Sequence, residues 1–144
     1  MSAIVTVAAE GVRLPASRAR IAVIARGVLR AERVDHALLS ITFVSSRFIR
    51  AMNRRHLRRD RLTDVIAFGF RSAGRRSAIV GDVYIAPDVA RASARANGIA
   101  IREEITRLVV HGTLHALGHD HPGTAARTRS KMWQQQERLV AKLK

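Results

Sequence analysis

The sequence predicts an α+β domain: a small mixed four-stranded sheet packed with about five helices, one of them carrying a histidine motif of zincin-like shape. Two observations predict the class. Four short β-branched or apolar runs of strand length do not alternate strictly with the helical segments, as a doubly wound fold would require. Apolar residues also recur at helical spacing in segments closed by helix-stop chemistry. The 144 residues form one expected domain, 1–144, long enough to bury a core, with no repeat, low-complexity tract or long linker.

The elements follow in order. Ile4 to Ala8 reads as a strand, and Leu14-Pro15-Ala16-Ser17 punctuates before a helix from Arg18 to Arg33, where Ile21, Ile24, Ala25, Val28 and Leu29 repeat at helical spacing. A second strand runs from about Leu38 to Val44, and Ser45-Ser46 can cap the helix Arg47 to His56. Thr63 to Phe70 and Ile79 to Ile85 have strand composition, and the Gly- and Arg-bearing stretch Arg71 to Ser77 reads as a hairpin loop. Pro87-Asp88 suits a helix start, and Asn97-Gly98 suits its stop. A further helix starts near Arg102-Glu103-Glu104 and ends at Gly118, and about Ala125 to Leu143 is a last basic, amphipathic helix. Trp133 reads as a core anchor on that helix rather than a base-stacking platform.

Composition bounds the function. Lys plus Arg is 26 against 11 acids, a formal charge of +15, and most of the cations are Arg, which forks onto phosphate oxygens. Attraction to a polyanion such as RNA or a ribonucleoprotein is favoured over Arg-rich codon usage, because excess charge of this size costs self-repulsion. No apolar run reaches the roughly 20 residues of a bilayer span, and the first residues lack a signal-peptide layout, so no membrane partner is expected. With no cysteine there is no disulfide partner and no thiolate ligand; a cytoplasmic location fits, and any metal is held by nitrogen and oxygen.

Four of the six histidines lie in the segment His-Gly-Thr-Leu-His-Ala-Leu-Gly-His-Asp-His, from His111 to His121. His111 and His115, four apart, share one helix face and can share an ion. Gly118 supplies a turn that can carry His121 back toward them. Three imidazoles with the fourth position open is the arrangement of a catalytic zinc site, with one Zn2+ per chain. A histidine-rich surface helix is the bland alternative, outweighed by three ligands at the right spacing. His119 stays outside the ligand set, facing substrate or solvent, and Asp120 either hydrogen-bonds a ligand imidazole or caps the turn. The spacing matches metzincin proteases, but the general-base Glu that follows their first His is Gly112 here, so no peptidase is expected. Asp64 and Asp82, near strand starts, read as backbone acceptors more than as cleft residues.

The same segment resembles the signature of the YbeY family of metal-dependent endoribonucleases. Met52-Asn53, Thr63-Asp64-Val65-Ile66-Ala67-Phe68 and Gly81-Asp82-Val83-Tyr84-Ile85-Ala86 are similar to further family segments. Glu104 and the stretch Met132 to Glu137 also match. The resemblance covers the chain from about Leu38 onward. It implies a single α+β domain with zinc on His111, His115 and His121, single-strand cleavage of RNA by metal-activated water, and a role in rRNA maturation and ribosome quality control, with rRNA and ribosomal particles as partners. Where many members carry an Arg important for cleavage this chain has Leu57, with Arg58 and Arg59 beside it; either neighbour can reach the same phosphate, or the role is reduced or lost, and Arg58 is the catalytic candidate. Arg54, Arg55, Arg58 and Arg59 are candidate contacts to the RNA backbone, where phosphate contacts position without specifying sequence. The rival from another class is a ribosome- or RNA-binding assembly factor whose metal is mainly structural, motivated by Leu57 and the high charge.

Overall fold

In a computed structural model of the chain, residues 2–56, 65–71, 78–119 and 131–144 are described. Strand β1 (Ser2–Ala9) alternates, with Ala3, Val5, Val7 and Ala9 turned inward and Ile4, Thr6 and Ala8 exposed. Helix α1 (Arg18–Ala31) starts at Ser17, whose side chain accepts the Arg20 N–H at 3.1 Å. It buries the expected stripe of Ile21, Ile24, Ala25, Val28 and Leu29. The helix stops two residues short of Arg33 because Arg33 itself takes a left-handed φ of 57°, and its N–H and that of Val34 turn back to the Arg30 and Leu29 carbonyls.

Strand β2 (His36–Phe43) is followed by helix α2 (Ser46–His56), capped by Ser45, whose Oγ accepts the Phe48 N–H at 3.1 Å. Strands β3 (Val65–Arg71) and β4 (Ile79–Ile85) pair antiparallel, as a hairpin should; most of the expected loop, 72–77, lies outside the described residues. Helix α3 (Pro87–Asn97) has Pro in its first turn and ends at Gly98, φ 65°. Helix α4 (Ile101–Ala116) and helix α5 (Lys131–Leu143) complete the elements, the start expected near Ala125 again lying outside the described residues.

The sheet order is β1-β2-β4-β3, with β1 and β2 parallel, β2 and β4 parallel, and β3 antiparallel to β4. The registers Leu39↔Gly81↔Gly69 and Ile41↔Val83↔Ala67 align one face across the strands. That face meets α1, α4 and α5 in a core that includes Ile21, Val28, Leu39, Ile41, Phe43, Val83, Val109, Leu114 and Leu139. Burial of each such side chain contributes about 1.5–3 kcal/mol.

Helix α4 lies unusually close to the sheet, and glycine makes this possible. A Cβ at Gly69 would sit 1.9 Å from the Ala116 carbonyl oxygen, and one at Gly112 would sit 2.5 Å from Val83 Cγ1. The opposite face carries a smaller cluster in which Ile49 of α2 packs with Val44, Ile66 and Ala86, flanked by Met52, Phe68 and Tyr84. Beyond it, Ile4, Leu38, Val80 and Phe70 form one cross-strand row, each between 47% and 69% exposed.

Candidate metal centre

The histidine helix is held on three sides. Gly112 and Ala116 press it onto β3 and β4. Its last turn is closed by a two-bond C-terminal motif: Gly118, at φ 100°, donates to the His115 carbonyl at 2.9 Å, and His119 donates to the Leu114 carbonyl at 3.0 Å. Its outer stripe faces α5, where Arg107 meets Glu137 through two parallel bonds of 2.9 Å. Glu103 and Glu104 also receive Arg107 at 3.3 Å, and Lys144 reaches Glu103 at 2.9 Å.

These contacts set the charges. Arg107 holds the Glu137 carboxyl below its ordinary value of 4.5, outweighing the burial that opposes ionisation. Glu103 is lowered by Lys144 first and Arg107 second, while Glu137, ahead of the two other glutamates, raises the guanidinium. Glu104, buried two helical turns before His111, thus belongs to the ion cluster that ties α4 to α5.

His111 and His115 lie together as the spacing predicts, both half-buried, with ring centroids 4.6 Å apart and planes at 65°. His111 Nδ1 lies 2.6 Å from the Gln136 amide oxygen on α5. An amide oxygen only accepts, so a hydrogen bond here requires the proton on His111 Nδ1. Paired imidazoles of one helix face, one of them oriented through its second nitrogen, fit a zinc ion's donor chemistry. Among the described residues no third His, Asp, Glu or Cys joins them. His121 and Asp120 lie outside the described residues, as do Leu57, Arg58, Arg59 and Asp64.

The other candidates sort clearly. His119 Nε2 pairs with the Glu32 carboxylate at the end of α1, and the second Glu32 oxygen accepts from Gln135 at 2.9 Å, so His119 clamps α1, α4 and α5 together. Asp82 is exposed on the sheet face opposite α4 and accepts from Ser40 Oγ at 2.5 Å, a side-chain donor in place of the backbone donor expected for it. Its neighbour Tyr84 packs between Phe48 and Phe68, and burial, then Asp82 and Glu10, push its hydroxyl above the ordinary value. Trp133 is half-buried, while Met132 beside it enters the core.

Gly112 acquires a structural reason. A Cβ there meets Val83 and Val65, so the helix–sheet gap leaves no room for the carboxylate that a peptidase carries at this position. Sequence reasoning missed Arg47 and Arg50, which with Arg54 and Ser46 line a surface pocket on α2; the spacing 47, 50, 54 was the available signal. Arg54 and Arg55 are exposed on that helix as expected. The pocket helix packs on the sheet face opposite α4, near the end where Val65 pairs with Ile85, while α4 runs along the strands from Val65 at Gly112 to Gly69 at Ala116.

A mixed sheet with its paired histidines on the helix that crosses one face defines the class: an α+β protein whose fold matches the solution structure of a Thermotoga maritima protein. That match has a TM-score of 0.62 and 22% identity over 97% of this chain and 89% of the other. The chain belongs to the family described as Endoribonuclease YbeY, whose profile matches residues 10–144. Relatives of that name include one from Geobacillus kaustophilus, 37% identical over 117 residues, covering 75% of this chain and 74% of the relative. Another, from Syntrophotalea carbinolica, is 31% identical over 124 residues, covering 84% and 83%. A third, from Anaeromyxobacter dehalogenans, is 40% identical over 87 residues, covering 60% of this chain, and the match spans 45% of that relative's length. No helix among the described residues is long and apolar enough to cross a membrane.

Proposed function

We propose that the protein is a zinc-dependent endoribonuclease that hydrolyses single-stranded RNA in the cytoplasm, in rRNA maturation and ribosome quality control. Family membership supports the reaction class. The observation that carries the metal reading is the His111–His115 pair, with Gln136 bonded to His111 Nδ1. His121 is proposed as the third ligand and Asp120 as the partner of a ligand imidazole. Bound there, the ion supplies Lewis acidity toward a phosphodiester and an acidified water.

The chain's own residues bind and orient. His111 presents Nε2, its other nitrogen facing the Gln136 amide oxygen. Arg54 and Arg55, with Arg58 and Arg59, which lie outside the described residues, hold backbone phosphates, and Arg58 takes the catalytic role next to Leu57 in the sequence. Arg47 and Arg50 extend that stripe. α2 and α4 lie on opposite faces of the sheet, so an RNA strand that meets both passes around its edge or end.

Elemental analysis of wild type beside a His111→Ala/His115→Ala variant tests the reading. About one zinc per wild-type chain and almost none in the variant is expected. The same pair, assayed on single-stranded RNA, should show cleavage lost with the metal. Zinc-binding wild type that fails to cleave, yet associates with ribosomes in a salt-sensitive way, would favour an assembly factor with a structural metal instead.

A further inference from the structure

Gln136 is 5% exposed on α5, and its amide is used at both ends. Oε1 faces His111 Nδ1 at 2.6 Å, while Nε2 donates to Glu137 Oε2 at 3.1 Å. Glu137 is itself fixed by the two 2.9 Å bonds from Arg107. Turned over, the amide would aim its oxygen at that carboxylate and give up the bond to Glu137. The orientation of the amide is therefore determined by a fixed anion, and the proton position on His111 is determined by the amide.

We infer that Gln136 is a positioning residue that locks His111 in the Nδ1–H tautomer, so that Nε2 carries the lone pair which coordinates a divalent cation. The inference deepens the metal reading above and rests on it for the cation, while the tautomer stands on the geometry alone. A buried side chain serving only to fill space would need no acceptor aimed at a ring nitrogen. Ligating histidines commonly donate their second nitrogen to a carboxylate, carbonyl or water, and loss of such a partner weakens metal binding about 10–100-fold. A side-chain amide supplies the acceptor without adding a charge.

The test uses the full chain, with His111 assigned by 15N NMR in the metal-free protein above the imidazole titration range, and zinc affinity measured by competition with a chromophoric chelator. Wild type should show a protonated Nδ1 and an unprotonated Nε2. Gln136→Met keeps the volume and removes the strong acceptor; it should shift His111 toward the Nε2–H form and bind zinc about tenfold more weakly. Gln136→Glu restores an acceptor for His111, though with an oxygen against Glu137 in place of the amide donor, and should restore the Nδ1–H tautomer. A wild-type His111 protonated on Nε2, or a folded Gln136→Met protein that keeps both the Nδ1–H tautomer and wild-type affinity, would overturn the inference. If Gln136→Met does not fold, the tautomers of wild type and Gln136→Glu decide it. A tautomer switch in a protein that takes up no zinc upholds the hold of Gln136 on His111 and overturns the metal reading alone.

Discussion

On one face of the sheet Gly69, Gly81 and Gly112 bring the histidine helix against the strands, whereas on the other α2 covers one end and leaves Ile4, Leu38, Val80 and Phe70 exposed. The same strands build both. The difference lies in what must be held still. His111 and His115 sit on an element that is fixed by backbone-close packing below and by ion pairs to α5 above. The arginines sit on a helix seated by Ile49 and its neighbours, with long side chains that suit contact with a polyanion.

The hardest way to break the comparison is Gly69→Ala. Its Cβ meets a backbone oxygen, which cannot swing away, so a loss of about 3 kcal/mol in urea unfolding is expected. A change within experimental error would mean the helix can lift from the sheet at little cost.

A gentler probe is acid. The Glu137 carboxyl is lowered in the fold, so its contribution is fully present above its ordinary value of 4.5 and is lost as pH falls through the folded value beneath it. Glu137→Gln should flatten the stability–pH profile below that value, at a cost of about 1 kcal/mol at neutral pH for a partly exposed pair. Parallel profiles for variant and wild type would remove the Arg107–Glu137 pair from the forces holding α5 to α4.

The smallest effect belongs to the open face. Phe70→Ser, on a side chain 69% exposed, should leave stability within about 0.5 kcal/mol of wild type by the same urea measurement. A loss well beyond that would show that the row is covered in solution.

Most elements were legible because their signals are local. The α1 stripe, the Ser45 cap, Pro87 and Asn97-Gly98 each act within a few residues, and the His111–His115 spacing works in the same way. The end of α1 was misplaced because Arg33 adopts a conformation usually left to glycine. What stayed hidden depends on distant partners. Gly69 meets Ala116 only once β3 is seated under α4, and Gln136 meets His111 across 25 residues. His119 and Glu32 are 87 residues apart, so no spacing rule could have joined them. The strand order, with β4 inserted between β2 and β3, is equally a product of packing rather than of any one segment.

The tight seat of Gly112 also bears on ancestry. The metzincin motif with this histidine spacing carries a carboxylate where this chain has Gly112. Here that substitution lands a side chain on Val83 and Val65, so it becomes viable only after both valines shrink or the strand withdraws. Each preparatory change would first open a void beneath the histidines and erode the fold, before any new activity could be selected. A gap too narrow for one methyl group thus holds this position to glycine.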